Sequence, residues 1–273
     1  MDEKTIQIHK DDSENIRYIL DSCSDIGTSR SVNQDACCAR IMKTPSHTIA
    51  LAVVCDGVGG LEEGEYASNS TIQAFNNWFD YRLSKLIVDK TRQDLLSVLS
   101  EEIKRIILEK NGDIYLYGQR RGMSVGTTLT ALLLVDMDYF IAQIGDSRAY
   151  CMNEKLIQLT EDQSLVAREV REGKLTEEEA KSDKRRNIIL QCLGVNENLF
   201  PAYQIGRAQK GVTFLVCSDG FVHQLGKSEL ECLMNTAEMN DINGIHNMLL
   251  KSIGLVKERG EKDNITIVLV KAV

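Results

Sequence analysis

The chain has 273 residues, 43% of them hydrophobic, and a formal charge of −8, so one large domain or two small ones can bury a sizeable core. The acidic balance argues against a broad nucleic-acid or anionic-membrane surface, and no apolar run approaches the about 20 residues that span a bilayer. The eight cysteines include the adjacent Cys37 and Cys38 and no Cys-x-x-Cys pair, which fits reduced thiols of a cytosolic protein better than disulfides or a zinc ribbon.

Residues 1–15 are polar, read as a frayed end, and lack signal-peptide character. A strand is expected over 16–23, then a polar, turn-rich stretch over 24–35. Strands over 36–41 and 49–55 flank a turn at Thr44-Pro45-Ser46. Gly57-Val-Gly-Gly60 breaks the pattern. Glu62, Glu63 and Glu65 then suit the first turn of a helix over 63–83. A second helix over 91–110 carries Leu95, Leu96, Leu99, Ile103, Ile106 and Ile107 at helical spacing, and residues 111–123 read as a glycine-containing loop. Strands over 127–135, 139–144, 148–152 and 155–159, joined by short turns, read as one antiparallel meander. Residues 161–195 read as a charged, mostly helical insertion, with Thr176-Glu-Glu-Glu179 as a cap and first turn. Strands over 212–217 and 265–270 enclose a helical region over 227–259.

Four aspartates stand at the ends of these apolar runs: Asp56 before Gly57, Asp146 in Gly145-Asp-Ser-Arg148, Asp219 before Gly220, and Asp263 before Asn264. Singly, each reads as a turn residue, since Asp-Gly is among the commonest turn dipeptides. As a set, strand ends of one sandwich can bring the carboxylates together, and clustered carboxylates stay ionised only beside a cation. Oxygen-only ligands favour a hard ion such as Mg2+ or Mn2+. Asp56 is the best bridging candidate, the Gly57 carbonyl is a further hard oxygen, and Asp219 and Asp263 would complete one metal. Such centres use a metal-bound water as nucleophile. Arg30, in a polar loop, can grip a phosphate with two parallel hydrogen bonds. Asp25 and Asp35 are either acids standing behind the ligands or turn residues. His9, His47, His223 and His246 do not cluster in sequence, so a histidine-bound metal is not expected.

The ordered motifs resemble the metal-dependent type 2C (PPM) serine/threonine protein phosphatases in their compact bacterial form. The resemblance runs through Ser24-Asp-Ile-Gly-Thr-Ser-Arg-Ser-Val-Asn-Gln-Asp35, Val54-Cys-Asp-Gly-Val-Gly-Gly60 and Gly64-Glu-Tyr-Ala-Ser68. It continues in Gly126-Thr-Thr128, Gly145-Asp-Ser-Arg148, Leu159-Thr-Glu-Asp-Gln-Ser164 and Gln191-Cys-Leu-Gly194. It ends in Cys217-Ser-Asp-Gly220 and Asp263-Asn-Ile-Thr266.

The resemblance implies an α+β fold, a four-layer α-β-β-α sandwich of two antiparallel sheets flanked by helices, in a single catalytic domain over 1–273. It makes Asp56 bridge two Mn2+ or Mg2+ ions, Gly57 a carbonyl ligand, and Asp219 and Asp263 ligands of the first metal. Asp146 would bind a third, weaker ion. Arg30 would grip the phosphate, and residues 161–195 would be a flap beside the site. Two departures stand out. Some members carry glutamate at the position of Gln34, where it ligates the second metal; uncharged Gln34 implies weaker binding there, or help from Asp35 through water. Some members carry histidine at the position of Val58 as a proposed general acid, and valine cannot donate a proton. The implied substrates are phosphoproteins, targets of a serine/threonine kinase, met in the cytoplasm by a monomer that binds neither nucleic acid nor membrane. The alternatives are a non-catalytic phosphatase-like binding module, against which the retained aspartates speak, and a phosphatase dedicated to one regulatory partner.

Overall fold

The structure, a computed structural model, describes residues 16–58, 63–235 and 238–273; the frayed reading of residues 1–15, and the positions of Gly59, Gly60 and Glu62, lie outside them. The chain opens with strands β1 (Tyr18–Asp25), β2 (Asp35–Lys43) and β3 (Thr48–Asp56). Helices α1 (Gly64–Tyr81), α2 (Leu83–Leu86) and α3 (Arg92–Arg121) follow. Four strands come next: β4 (Leu129–Val135), β5 (Asp138–Ile144), β6 (Arg148–Met152) and β7 (Leu156–Gln158). After α4 (Leu165–Arg171) and α5 (Glu177–Ser182) come β8 (Ala202–Arg207) and β9 (Thr213–Cys217). Helices α6 (Asp219–Val222), α7 (Lys227–Met234) and α8 (Ile242–Glu258) lead to β10 (Ile265–Ala272).

The strands form two five-stranded sheets, ordered β1-β10-β9-β6-β7 and β2-β3-β4-β5-β8, with antiparallel pairing throughout. Strand β3, inside its sheet, is buried along its whole length up to Cys55, because both of its faces are covered. One face meets Phe214, Val216 and Val268 of the opposing sheet through Ala52 and Val54. The other packs Leu51 and Val53 against Phe75, Trp78, Leu99 and Ile103 of α1 and α3. On the far side, Leu249, Ile253 and Val256 of α8 cover Leu215, Ile267 and Leu269. Burying each such side chain contributes about 1.5–3 kcal/mol. The expected four-layer α+β sandwich is therefore the observed one.

Several boundaries differ from the sequence reading. The stretch over 111–123 is not a loop: α3 continues to Arg121, closed by Gly122 in the left-handed conformation. Asn111, Ile114 and Gly118 are buried along this extension, so tertiary packing outweighs the weak helix propensity of Gly112 and Gly118. The expected meander is two hairpins in different sheets. β5 pairs with β4 and β8, whereas β6 pairs with β7 and β9. The chain changes sheets at Gly145-Asp146-Ser147. That corner is fixed by a Thr128–Ser147 hydroxyl contact of 2.8 Å and a Thr130 hydroxyl donated to the Ser147 carbonyl at 2.7 Å.

The insertion over 161–195 is only partly helical, in α4 and α5; α5 carries the expected capping box at Thr176 and Glu179. The edge strand β8 escaped the sequence reading because its residues are mostly exposed and show no alternation. The helical region over 227–259 is two helices, α7 and α8, preceded by the single turn of α6.

Candidate metal centre

Strand pairing delivers the acids to one end of the sandwich. Asp35 lies directly opposite Asp56 at the ends of β2 and β3. Arg148 lies opposite Cys217, so the corner before β6 that carries Asp146 adjoins the end of β9, where Asp219 follows, and Asp219 acts on the Asp146 carboxyl. The backbone of Asp56 is pinned by Thr128, whose hydroxyl accepts from the Asp56 amide at 2.9 Å and whose amide donates to the Asp56 carbonyl at 2.8 Å. The Gly57 amide donates to the Gln34 carbonyl at 3.0 Å. Asp219 opens α6, behind Ser218, whose hydroxyl donates to Asp35 at 2.8 Å and accepts the Thr266 amide at 3.0 Å.

The acids act on one another's charge across this end of the sandwich. Burial, then Asp35, Asp219, Asp146 and Asp263 in that order, push the Asp56 carboxyl well above its usual range. Burial, then Asp219 and Asp162, push Asp146 to about 8. Burial also lifts Asp35 to about 7, although hydroxyl groups of Thr266 and Ser218 pull it down. Asp35 is thus a member of the acid cluster and not a turn residue. Asp25 instead faces Lys257 at 2.8 Å and accepts the Gly27 amide at 2.8 Å, so it shapes the loop that carries Arg30.

Arg30 donates to both oxygens of Asp263, at 2.9 and 2.8 Å. The sequence placed these two residues in one site without linking them. Asn264 ties the same loop down: its amide donates to the Ile26 and Val32 carbonyls at 2.9 and 3.2 Å, and its side-chain oxygen accepts the Gln34 amide at 2.9 Å.

His223 was set aside in the sequence, yet it lies 3.4 Å from Asp219 and 3.7 Å from Glu261. Burial opposes its charged form, but Glu261 and Asp219 on either side outweigh that and raise its pKa. The four-residue spacing within one helical turn, Asp219 to His223, was the available signal. The segment over 161–195 is rooted at this end of the sandwich through Thr127–Leu193 and Gly145–Gln163 backbone bonds.

Three carboxylate oxygens, one each on Asp35, Asp146 and Asp219, are buried and lack a hydrogen-bond partner. Such orphaned anionic oxygens call for a cation, and an all-oxygen donor set suits Mn2+ or Mg2+. Among the described residues no three His, Cys, Asp or Glu side chains are already closed around one point; the acids are gathered, with Asp263 turned to Arg30. The residues fit a divalent-ion centre in their chemistry.

A pH effect follows. Asp35 and Asp146 titrate near 7 and 8 in the folded chain, against about 3.9 for an ordinary aspartate. The folded chain thus holds protons that the unfolded chain has released. Their stabilising contribution is complete below about pH 4 and lost as pH rises through about 8. In EDTA the melting temperature is expected to fall between pH 5 and 8, and Mn2+ binding near pH 7 to release protons. A flat melting profile, with no proton release on metal titration, would contradict the raised acids.

The sequence profile of the family described as Protein phosphatase 2C matches residues 27–249. The chain belongs to that family. The putative protein phosphatase 2C-type of Streptococcus pyogenes is 32% identical to this phosphatase over 251 residues, 90% of this chain and 94% of the relative. The serine/threonine phosphatase stp of Listeria monocytogenes is 30% identical over 226 residues, 81% of this chain and 84% of the relative. Among solved structures, the serine/threonine phosphatase Stp1 of Staphylococcus aureus superposes with a TM-score of 0.79 at 27% identity, covering 93% of this chain and 94% of that one. The catalytic domain of the serine threonine protein phosphatase PstP, solved in complex with 2 manganese ions, superposes with a TM-score of 0.72 at 27% identity, covering 94% and 99%.

Proposed function

We propose that this phosphatase removes phosphate from phosphoserine and phosphothreonine in proteins, with Asp56, the Gly57 carbonyl, Asp219 and Asp263 holding two Mn2+ or Mg2+ ions and Asp146 a third. The cluster of acids around Asp56, with three orphaned oxygens, is the observation that supports it most. The ions, when bound, supply positive charge for the phosphoryl oxygens and bring the pKa of water toward neutrality.

The chain's own groups do the rest. Arg30 presents two parallel donors on the rim of the site, spaced for a planar or tetrahedral oxyanion. A phosphate competes with Asp263 for that fork, and the bound phosphoryl group is oriented for in-line attack by water. Val58 offers no proton, and His223 is turned between Asp219 and Glu261. The leaving serine or threonine oxygen then takes its proton from water or departs without one. The physiological setting we infer is a cytoplasmic monomer opposing a serine/threonine kinase. No helix of the described residues is long and apolar enough to cross a membrane.

Hydrolysis of a phosphothreonine peptide by the purified protein tests this reading. Turnover is expected with Mn2+ and is expected to vanish in EDTA; a folded protein inactive at every Mn2+ concentration would favour a binding module. In the same assay Arg30→Ala is expected to raise KM about ten-fold with a smaller change in kcat. An unchanged KM would refute the phosphate-gripping role.

A further inference from the structure

Around Asp56 the acids are unevenly placed. Asp35 stands opposite it in the β2–β3 pairing, and Asp219, Asp146 and Asp263 act on it from other loops, whereas directly against Gly57 lies the neutral side chain of Gln34. A carboxylate nevertheless reaches that corner. The Gln34 side-chain amide donates to an oxygen of Glu65 at 3.2 Å. Gln34 is itself held at both backbone groups, its amide by Asn264 and its carbonyl by Gly57.

The packing of α1 explains why Glu65 arrives there. A Cβ on Gly57 would stand 2.7 Å from the Gly64 carbonyl group and 2.8 Å from Gln34 Cβ. A Cβ on Gly64 would stand 2.9 Å from Gln34 Nε2 and 3.1 Å from the Gly57 carbonyl carbon. Two glycines thus let the first residue of α1 rest directly on Gly57 and Gln34, and Glu65 is the next residue. The preceding acid, Glu63, is committed elsewhere: it accepts from Tyr117 and pairs with Arg121 at 2.8 Å.

We propose that Glu65 supplies the anionic oxygen for a divalent ion on the Gly57 side of Asp56, with Gln34 as the group that positions it; this rests on the metal reading above. An amide donor orients a carboxylate without cancelling its charge, as arginine or lysine would. The carboxylate remains available to a hard cation alongside the Gly57 carbonyl. The helix thus brings a further negative charge to this corner, one hydrogen bond from the loop.

Calorimetric titration of Mn2+ into the purified protein, without substrate, tests this. The wild type is expected to show two tight sites, beside the weaker one at Asp146. Glu65→Gln is expected to weaken one of them about 10–100-fold and spare the other, and Gln34→Glu in that background is expected to recover binding. Asp56→Asn is expected to disrupt both. A wild-type isotherm for Glu65→Gln, beside a collapsed one for Asp56→Asn, would overturn the Glu65 role alone. A wild-type isotherm for Asp56→Asn would overturn the underlying metal reading. Should Glu65→Gln not fold, Gln34→Glu alone decides: two touching carboxylates are expected to lower the EDTA melting temperature and tighten Mn2+ binding, and the absence of both changes overturns the proposal.

Discussion

Asp56→Asn is expected to lower kcat about a thousand-fold or more while leaving the fold intact. Asparagine keeps the size of the side chain and the backbone bonds of residue 56 to Thr128, and leaves the Gly57–Gln34 bond next to it, so β3 and its neighbours are not disturbed. What is removed is a carboxyl whose charged form burial and four surrounding acids already oppose. The same substitution therefore relieves repulsion in the metal-free chain, and its melting temperature in EDTA at pH 8 is expected to rise by a few degrees. Opposite signs for activity and stability mark a group kept for function at a cost in folding. Wild-type turnover by the variant would sink the assignment of Asp56. A lowered EDTA melting temperature would show that Asp56 stabilises the fold instead.

Gly27→Ala is expected to be the most damaging small substitution near the site. Gly27 has φ +79°, and an added Cβ would stand 2.0 Å from the Asp263 carbonyl oxygen and 3.0 Å from its carbon. The obstacle is backbone, so no side chain can swing aside. The left-handed conformation costs about 1–2 kcal/mol and forced overpacking about 1–3 kcal/mol, a loss of roughly 2–5 kcal/mol together. Relief requires moving Asp263, and with it the Arg30 pair and the Asn264 clamp. Urea unfolding and phosphopeptide turnover are both expected to suffer. Gly173→Ala is the control: its φ of +70° is similar, but nothing lies within 4 Å of the added Cβ. A loss of stability no greater than the control's would show that the close approach of the loop after β1 to Asp263 is not a constraint.

Much of this was legible in the residues. The apolar run ending at Asp56 and the run starting after Asn264 are strands with nearly the read boundaries, because strand-length apolar stretches bounded by turn residues carry their own signal. The candidate ligands were legible for the same reason: they punctuate those runs. Other features were invisible because the deciding contact lies far away in sequence. Residues 111–121 carry two glycines and read as loop, yet burial of Asn111, Ile114 and Gly118 makes them helix. That extension brings Tyr117 and Arg121 to Glu63, and so helps seat the start of α1 beside Gly57. His223 looked isolated until α6 and Glu261 closed on it.

The sequence by itself determined the fold class, the family and the identity of the acids, since these depend on local patterning and on the order of motifs along the chain. Only the tertiary structure decided how the acids and their partners are matched: Asp35 opposite Asp56, Asp146 beside Asp219 where the chain changes sheets, Arg30 on Asp263, and Glu65 on Gln34. Alternation along a strand says which side chains face inward, but it is the same whichever strand lies alongside. Pairing and register are set by the packing of both sheets and their helices together.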